Sequence, residues 1–583
     1  MKKKYAFYLI FGWLGITAQA QNLETIGVKK GVKVTGAVNL NAIGYTASGI
    51  PVRRDPFAWF VSGNLNLNLF GYAAPFSFSY SNTSRNFTQP FNQLSFAPQY
   101  KWVKTYIGYN SMTFSPYTLA GHVFLGGGVE LTPKHWRVSA MYGRLRKAVP
   151  FNLSDTTQQY NASYRRMGAG LKLGYEQDNN ALNLSLFHAR DEIASLPFVV
   201  FNSNLTPKQN LVIGLAGRKK ILTKLFIEAE YAYSVLTNNI LYNPQTDTLS
   251  VDSLRTGDEK YFLKGIIPAN ATTRRFSAYN ASIGYQGTGY GLQVRYEEVA
   301  PDYQTLGAYY FNNDMRNITL IPSLQLFQNK LVLNANLGWQ YNNLDKLRAA
   351  TTRRFVSAFN ATFTPDEQWA FTGSYSNFTT FTNIRPQEDP FFRDNLDTLN
   401  FYQINNTYNG MASYNFGSKE RRQAWIINGS YQKASDVAAY KGGDQNLSDF
   451  YTGNLSYNLT LAPQQLTVAA SVNYYTSRMP AVVSRYWGPN ASLTKSLFDK
   501  MLRCTFSSSF NKNTLNGQSS GNVLNNRLNM SYSPKVKEKE GGKHAFSLAF
   551  NWLRRTKGQT ETPTPAPPTF SEYTTTANYS YSF

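Results

Sequence analysis

Few side chains in this sequence are spaced for acid–base or nucleophilic chemistry. No HExxH or GxSxG motif occurs, and the four histidines are scattered without metal-ligand spacing: His122, His135, His188 and His544. A triad assembled only in space would use His188, which stands beside the charged run Arg190 to Glu192. We therefore predict no enzyme, no metal and no cofactor. A lipid or glycan hydrolase that uses His188 is kept as an alternative.

Arginine pairs are the most distinctive polar feature of the sequence. Guanidinium groups donate paired hydrogen bonds that suit phosphate oxygens. We predict that five pairs at the extracellular rim bind the phosphorylated head groups of outer-leaflet lipid or lipopolysaccharide, with a funnel for an anionic solute as the alternative. A sixth pair, Arg421-Arg422, belongs to a predicted short turn. The five pairs are Arg53-Arg54, Arg165-Arg166, Arg274-Arg275, Arg353-Arg354 and Arg554-Arg555.

Six further charged residues share the parity of polar neighbours in segments where apolar and polar residues alternate. An Arg or Lys that faces lipid at the bilayer midplane would cost about 2–4 kcal/mol, so we predict that these six face an aqueous lumen. There they would form a selectivity cluster or be solvated and paired with one another. They are Arg137, Lys172, Glu228, Glu230, Arg295 and Glu297.

The elements that carry these residues have a period of two. Between residues 64 and 69, asparagines alternate with leucines, and similar runs recur at 182–186, 331–339 and 466–474. This period puts apolar side chains on one face of a strand and polar side chains on the other. The pattern predicts about 26 strands, between roughly 24 and 28.

The predicted connections alternate between tight turns, such as 101–102 and 178–179, and long loops, such as 193–208 and 239–272. Short periplasmic turns and long external loops are typical of an outer-membrane barrel. Closure into a barrel pairs the edge N–H and C=O groups that lipid cannot satisfy. We therefore predict an all-β fold, a single large antiparallel up-and-down transmembrane β-barrel with both termini periplasmic.

Composition excludes two other classes of protein. No apolar stretch beyond residue 20 is long enough for a membrane-spanning helix, and 40 Tyr with 39 Phe are too many for a disordered chain. Residues 1–20 carry the basic, apolar and small-residue parts of a cleaved signal peptide. We predict export to the cell outer membrane, a short periplasmic segment over 21–31 and the barrel over 32–583. We expect no nucleic-acid partner, because the aromatic residues lie on the predicted lipid-facing parity.

The last strand carries the most specific local motif. Aromatic residues alternate with Thr, Asn and Ser up to the final residue. This resembles the terminal strand of outer-membrane barrels, and the resemblance implies insertion by the barrel-assembly machinery. The recognised side chains would be Tyr579, Tyr581 and Phe583.

At whole-chain level the sequence resembles the outer-membrane β-barrels typical of Bacteroidota. The resemblance is carried by residues 57–147 and by a segment that runs from Arg295-Tyr296 through Pro301, Tyr303, Gly307 and on to Phe311. The resemblance supports the predicted fold and location, and it implies no particular substrate. The sequence departs from TonB-dependent receptors, because only about a dozen mature residues precede the first predicted strand, and those receptors carry a plug domain there.

A barrel of 26 strands encloses a circle of roughly 50 Å backbone diameter. An open hole of that width would abolish the membrane barrier. We therefore expect inward-folded loops, bulky side chains or a plugging periplasmic protein or lipoprotein to block the lumen. The loop 239–272 is the first candidate for a lid, with an exposed surface loop as the alternative. The predicted function is transport or secretion across the outer membrane. A closed structural or docking barrel at the cell surface is the main alternative.

Overall fold

The structure is a computed structural model of the chain. It describes residues 33–69, 72–82, 93–151, 162–198, 205–242, 270–310, 312–347, 353–377, 382–383, 400–401, 404–435, 447–479, 482–535, 542–558 and 568–583. The predicted signal peptide and the 21–31 segment lie outside the described residues. So does most of the candidate lid loop.

Alternating sequence forms strands along almost the whole described chain. The main sheet contains 27 segments, two of which, Gln93–Phe96 and Gln99–Tyr100, form a single strand interrupted at Ala97-Pro98, so the strands number 26. In chain order these are β1 Lys33–Ser48, β2 Phe57–Leu69, β3 Tyr72–Ser81, β4 (the interrupted strand), β5 Val103–Thr113, β6 Ala120–Leu131, β7 Trp136–Arg146, β8 Arg165–Gln177, β9 Asn180–Glu192, β10 Gln209–Lys220, β11 Leu225–Thr237, β12 Thr273–Gln286, β13 Tyr290–Val299, β14 Met315–Leu326, β15 Leu331–Tyr341, β16 Arg353–Phe363, β17 Trp369–Ser376, β18 Ile404–Gly417, β19 Arg421–Ser435, β20 Leu447–Leu461, β21 Leu466–Met479, β22 Val482–Leu497, β23 Leu502–Leu515, β24 Gln518–Tyr532, β25 Lys543–Arg555 and β26 Phe570–Ser582.

The sheet closes on itself through its first and last strands. Every neighbouring pair is antiparallel, and β1 pairs with β26 in a register that places Leu40 opposite Tyr579 and Ala42 opposite Ala577. This seam pairs the two edges that an open sheet would leave bare. The predicted closed antiparallel barrel of 26 strands is confirmed. A second, two-stranded sheet pairs Thr382–Asn383 with Asn400–Phe401.

The two edges of the barrel differ in the length of their connections. One edge carries short turns such as 101–102, 178–179 and 418–420, together with the ends of β1 and β26. We call it the short-turn edge. The opposite edge, the long-loop edge, carries connections such as 193–208 and 238–272. Within the described residues, no helix is long and apolar enough to cross a membrane.

The two faces of each strand differ in the same way around the barrel. In β9, Leu184 and Leu186 are exposed, whereas Ser185 and Phe187 are buried. We call the face that carries the buried residues the inner face. The opposite face, the outer face, shows a row of exposed Leu, Ile, Val, Phe, Trp and Tyr side chains along most strands. An apolar outer face of this extent requires an apolar environment to cover it.

Candidate functional site

Two loops of the long-loop edge fold back against the inner face. The first, residues 114–119, joins β5 to β6, and the second, residues 300–314 and described at 300–310 and 312–314, joins β13 to β14. Leu119 and Tyr303 are completely buried, and Leu306 is 3% exposed. Such burial in a connecting loop requires a second layer of protein on it. We call the two loops together the plug.

The plug and the wall share one apolar core. Its loop residues, among them Phe114, Tyr117 and Leu306, pack with inner-face residues of β5 to β13. Each large side chain buried in this way contributes about 1.5–3 kcal/mol, which makes the plug an integral layer of the fold. The wall residues are Tyr106, Met112, Phe124, Met141, Leu145, Phe187, Ala189, Val212, Ala232, Leu236, Phe276, Ala278 and Val299, and Ala97 at the interruption of β4 belongs to the same core.

Glycines on the inner face make room for the plug. A Cβ atom at Gly170 would lie 2.6 Å from the Phe114 ring, and one at Gly214 would lie 2.8 Å from Thr118 Cγ2. A Cβ atom added at Gly307, in the plug itself, would lie 2.7 Å from the Thr118 carbonyl oxygen. Any side chain at these positions would push the loops away from the wall.

Hydrogen bonds hold the two loops to each other. The Tyr303 hydroxyl donates to the Tyr117 carbonyl at 2.6 Å, and the Thr305 hydroxyl donates to the Thr118 carbonyl at 2.7 Å. Burial, and next the nearby Glu230 carboxylate, raise the pKa of the Tyr303 phenol above its ordinary value. The phenol therefore keeps the proton that this hydrogen bond needs.

Asn210 of β10 holds the plug to the wall and is completely buried. Its Oδ1 accepts from the Leu306 N–H at 3.0 Å, and its Nδ2 donates to Ser234 Oγ at 2.8 Å and to the Val235 carbonyl at 3.0 Å. The Ser234 hydroxyl then donates to the Gln304 carbonyl at 2.8 Å. Two polar wall residues thus satisfy backbone groups of a buried loop.

Three of the six charged residues predicted for the lumen lie around the first plug loop. Lys172 Nζ donates to the Phe114 carbonyl at 3.0 Å, and the Tyr117 hydroxyl donates to Glu297 Oε1 at 2.7 Å. Burial, and next the Glu297 charge, raise the pKa of the Tyr117 phenol. Glu230 lies in the same group, 3.5 Å from Asn280 Nδ2. These side chains position a loop as well as carrying charge.

The other three predicted lumen charges lie elsewhere on the inner face. Arg137 forms an ion pair of 3.1 Å with Glu176, and Glu228 forms one of 3.2 Å with Arg218. Both pairs are near the short-turn edge, at the ends of their strands. Arg295 shares the inner face with Glu297, two residues along β13.

The five arginine pairs all lie at or beside the long-loop edge, and most described members have a local contact. The Arg53 guanidinium is 5.1 Å from the Phe570 ring, and Arg54 is 5.5 Å from Tyr45. Arg353 is exposed and lies 5.1 Å from the Trp339 ring. Arg165 forms an ion pair with Glu192, and Arg274 forms one with Asp302. Arg554 is exposed, whereas Arg275 and Arg555 are half-buried. The side chain of Arg354 is outside the described residues.

Arg166 departs from the expectation of an exposed lipid contact. Its side chain is 11% exposed, and it donates from Nε and Nη2 to the two carboxylate oxygens of Asp191 at 2.7 and 2.9 Å. The Asp191 side chain is fully buried. The cross-strand register of β8 and β9 places the two residues directly opposite each other, which decides this contact.

The described side-chain partner of His188 is an amide group. His188 stands on the outer-face parity of β9, and its Nε2 lies 3.1 Å from Gln209 Nε2. Asp191 belongs to the opposite face of the same strand. In the described part of the chain, no group of three or more His, Cys, Asp or Glu could hold a metal ion.

Tyr579 and Tyr581 share the outer face of β26, and Phe583 directly follows the strand. The Tyr579 hydroxyl and His544 Nδ1 are 2.9 Å apart, and the Tyr581 hydroxyl accepts from the Gly542 N–H at 3.2 Å. Phe583 is 48% exposed and its ring meets that of Tyr581 edge-on at 4.7 Å.

The sequence predicts inward-folded loops and offers 239–272 as the first candidate for a lid, and most of that loop lies outside the described residues. It does not single out the inward loops that the structure describes, 114–119 and 300–314. Two features of the sequence could have indicated them. Glycines interrupt the polar parity of β6 to β10 at sites including Gly128, Gly170 and Gly214, and the second loop carries Tyr303 and Leu306 in a segment too apolar for an exposed loop.

No protein-family model matches the chain, and no curated protein matches it. Among solved structures, the P pilus usher (PapC) translocation pore covers 94% of this chain and 98% of its own at 11% identity, with a TM-score of 0.36. The FrpB iron transporter from Neisseria meningitidis covers 94% and 81% at 9% identity and a TM-score of 0.35. OccAB2 from Acinetobacter baumannii covers 70% and 98% at 8% identity and a TM-score of 0.28. Similarity at this level carries no conclusion about function.

Proposed function

We propose that this chain is an outer-membrane β-barrel that moves a solute or a polypeptide across the outer membrane, and that its plug narrows the mouth. The closed sheet has an apolar outer face suited to lipid. Its inner face carries polar side chains suited to water. Export through a cleaved signal peptide, periplasmic termini and a Bacteroidota-type origin belong to the same proposal.

One observation supports transport above the alternatives. The plug draws its wall residues from β5 to β13, whereas β19 to β21 carry polar inner-face side chains such as Ser430, Thr452 and Asn454. The inner wall therefore has a sector packed by loops and a sector whose polar side chains bond to each other. A polar sector beside the plug provides a path along which a solute is hydrated.

Electrical recording in planar bilayers tests the proposal. We expect the purified barrel to give discrete conductance steps. Replacing residues 303–307 with Gly and Ser would remove Tyr303, Thr305 and Leu306 from the plug, so the single-channel conductance should increase severalfold, because the lost side chains would free part of the cross-section.

The matched control replaces residues 418–420, a turn of the short-turn edge, with Gly and Ser, and its conductance should equal that of the parent. If neither the parent nor the plug variant shows conductance steps although both are folded, the result would contradict transport and support a closed docking barrel. A partner that co-purifies and abolishes the steps would identify a plugging periplasmic protein or lipoprotein.

The remaining contacts that we propose are with the membrane and its assembly machinery. The exposed arginines of the long-loop edge, such as Arg53, Arg353 and Arg554, would bind phosphorylated outer-leaflet lipid. Tyr579, Tyr581 and Phe583 would be read by the barrel-assembly machinery. The hydrolase alternative finds no support in the surroundings of His188.

A further inference from the structure

Four charged residues form a row across neighbouring strands at the long-loop edge of the inner wall. Arg146 at the end of β7 is registered with Arg166 of β8, and Arg166 is registered with Asp191 of β9. Lys208, which immediately precedes β10, continues the row, because the Asp191 N–H donates to the Lys208 carbonyl at 2.8 Å. We call these four residues the mouth cluster.

A β-bulge brings the first member onto the inner face. The register of β7 and β8 shifts between Arg144 and Arg146. Leu145 lies completely buried in the plug core, and the next residue, Arg146, still reaches Asp191 with Nη2 at 3.4 Å. Without the bulge the alternation of the strand would turn Arg146 outward.

The mouth cluster contains three cations and one carboxylate. Asp191 accepts from Arg166 at 2.7 and 2.9 Å, from Arg146 at 3.4 Å and from the Lys208 backbone N–H at 3.0 Å. Two carboxylate oxygens offer about four acceptor positions, so Asp191 has no capacity left. Two positive charges of the cluster remain without a counter-charge in it.

Lys208 is the least satisfied member. Among the described residues, none accepts a hydrogen bond from its ammonium group. Burial, and next the Arg166 guanidinium, lower the pKa of the Lys208 ammonium, with Asp191 opposing and Arg146 adding to the effect. A half-buried cation that is repelled by two neighbours gains most from an added anion.

We propose that the mouth cluster binds the phosphate group of a soluble solute. A phosphate offers several acceptor oxygens, and it would accept from Lys208 Nζ and from the Nη1 atoms of Arg146 and Arg166. The other nitrogens of the two guanidinium groups donate to Asp191 and to the Tyr164 carbonyl. The cluster lies on the inner face, so a phosphate of the surrounding bilayer does not reach it. The site goes beyond the transport proposal, because equilibrium binding requires no conduction.

Equilibrium dialysis against radiolabelled inorganic phosphate tests the site. The barrel is held in nanodiscs of neutral phosphatidylcholine at constant ionic strength in sodium chloride. We expect saturable binding of one phosphate per barrel. Lys208→Gln should weaken it about tenfold, as expected for the loss of one charge-assisted hydrogen bond.

Two further variants make the outcome decisive. Lys330→Gln, in a turn of the short-turn edge where the ammonium donates to the Pro365 carbonyl, should leave phosphate binding unchanged. Arg146→Gln should weaken binding as Lys208→Gln does, and it serves as the test if the Lys208 variant does not fold.

Phosphate binding that is absent in the parent, or equal in the parent and both cluster variants, would overturn the proposal. Tighter binding of citrate than of phosphate would overturn the phosphate assignment. Binding that appears only when the nanodiscs contain lipopolysaccharide would assign the phosphate to lipid and would also overturn it. A barrel that binds phosphate without conducting would contradict the transport proposal alone.

Discussion

Asn210 shows how a single buried amide organises the plug. Its side chain bonds to the second plug loop through Leu306 and to the neighbouring strand through Ser234 and Val235. A buried backbone N–H without an acceptor costs about 1–3 kcal/mol. Leu306 avoids that cost only while the Asn210 carbonyl oxygen is present.

Asn210→Ala should therefore lower the free energy of unfolding by about 1–3 kcal/mol, measured by urea titration in detergent. It should also make the 300–314 loop more sensitive to protease. Asn409→Ala is the matched control, since the Asn409 amide donates to Ser374 Oγ at an exposed position, and it should change the stability by less than about 0.5 kcal/mol. Equal effects of the two substitutions would refute the role given to Asn210.

The strands β6 to β10 accommodate the plug because they carry glycine where the loops approach the wall. At Gly170 of β8, an added Cβ would lie 2.6 Å from the Phe114 ring. Overpacking of this kind costs about 1–3 kcal/mol. Docking of the plug thus depends on the missing side chains at these glycines as well as on the apolar side chains of the wall.

Gly170→Ala should reduce the free energy of unfolding by about 1–3 kcal/mol and raise the conductance, because Phe114 has to move away from the wall. Gly453→Ala in β20 is the control, since an added Cβ there meets nothing within 4 Å. It should be neutral or stabilising by up to about 1 kcal/mol. Urea titration and bilayer recording check both variants, and a stable Gly170→Ala protein of unchanged conductance would argue against tight docking of the plug.

At the scale of the whole molecule, the two faces of the closed sheet meet different surroundings. Leu184 of β9 is 47% exposed on the outer face, and Asn183 is next to it on the inner face. In the proposed bilayer setting, Leu184→Arg should cost about 2–4 kcal/mol, and Asn183→Arg should cost clearly less.

The two variants are compared by their folding yield and by their stability to urea after reconstitution into liposomes. They place an arginine at adjacent positions of the same strand. A larger penalty at position 183 than at position 184 would reverse the assignment of the two faces. The comparison therefore tests the membrane setting and the orientation of the strands together.

The strands were predictable because their information is local. The Leu and Asn alternation at 64–69 and 182–186 reports which side chains share a face, whatever the rest of the chain does. The plug was not predictable in the same way. Loop 114–119 is short and contains ordinary residues. Its apolar packing and its hydrogen bonds with residues distant in sequence, such as Tyr303 and Lys172, make it part of a core.

The mouth cluster is likewise predictable only in part from local sequence. The sequence shows Arg165-Arg166 as a pair like the others, and parity alone places a charge on one face of a strand. The register of β8 and β9 decides that Arg166 meets the buried Asp191 carboxylate. The bulge before Arg146 decides that a second guanidinium reaches the same carboxylate.

By itself, the sequence determined an all-β closed barrel of 26 strands, because period-two alternation and the need to pair every edge depend only on neighbouring residues and on the surrounding medium. Only the tertiary structure decided which loops pack against the inner face and which cations share one carboxylate. Those outcomes depend on register and on contacts between residues far apart in the chain, where a shift of one residue turns a side chain to the other face.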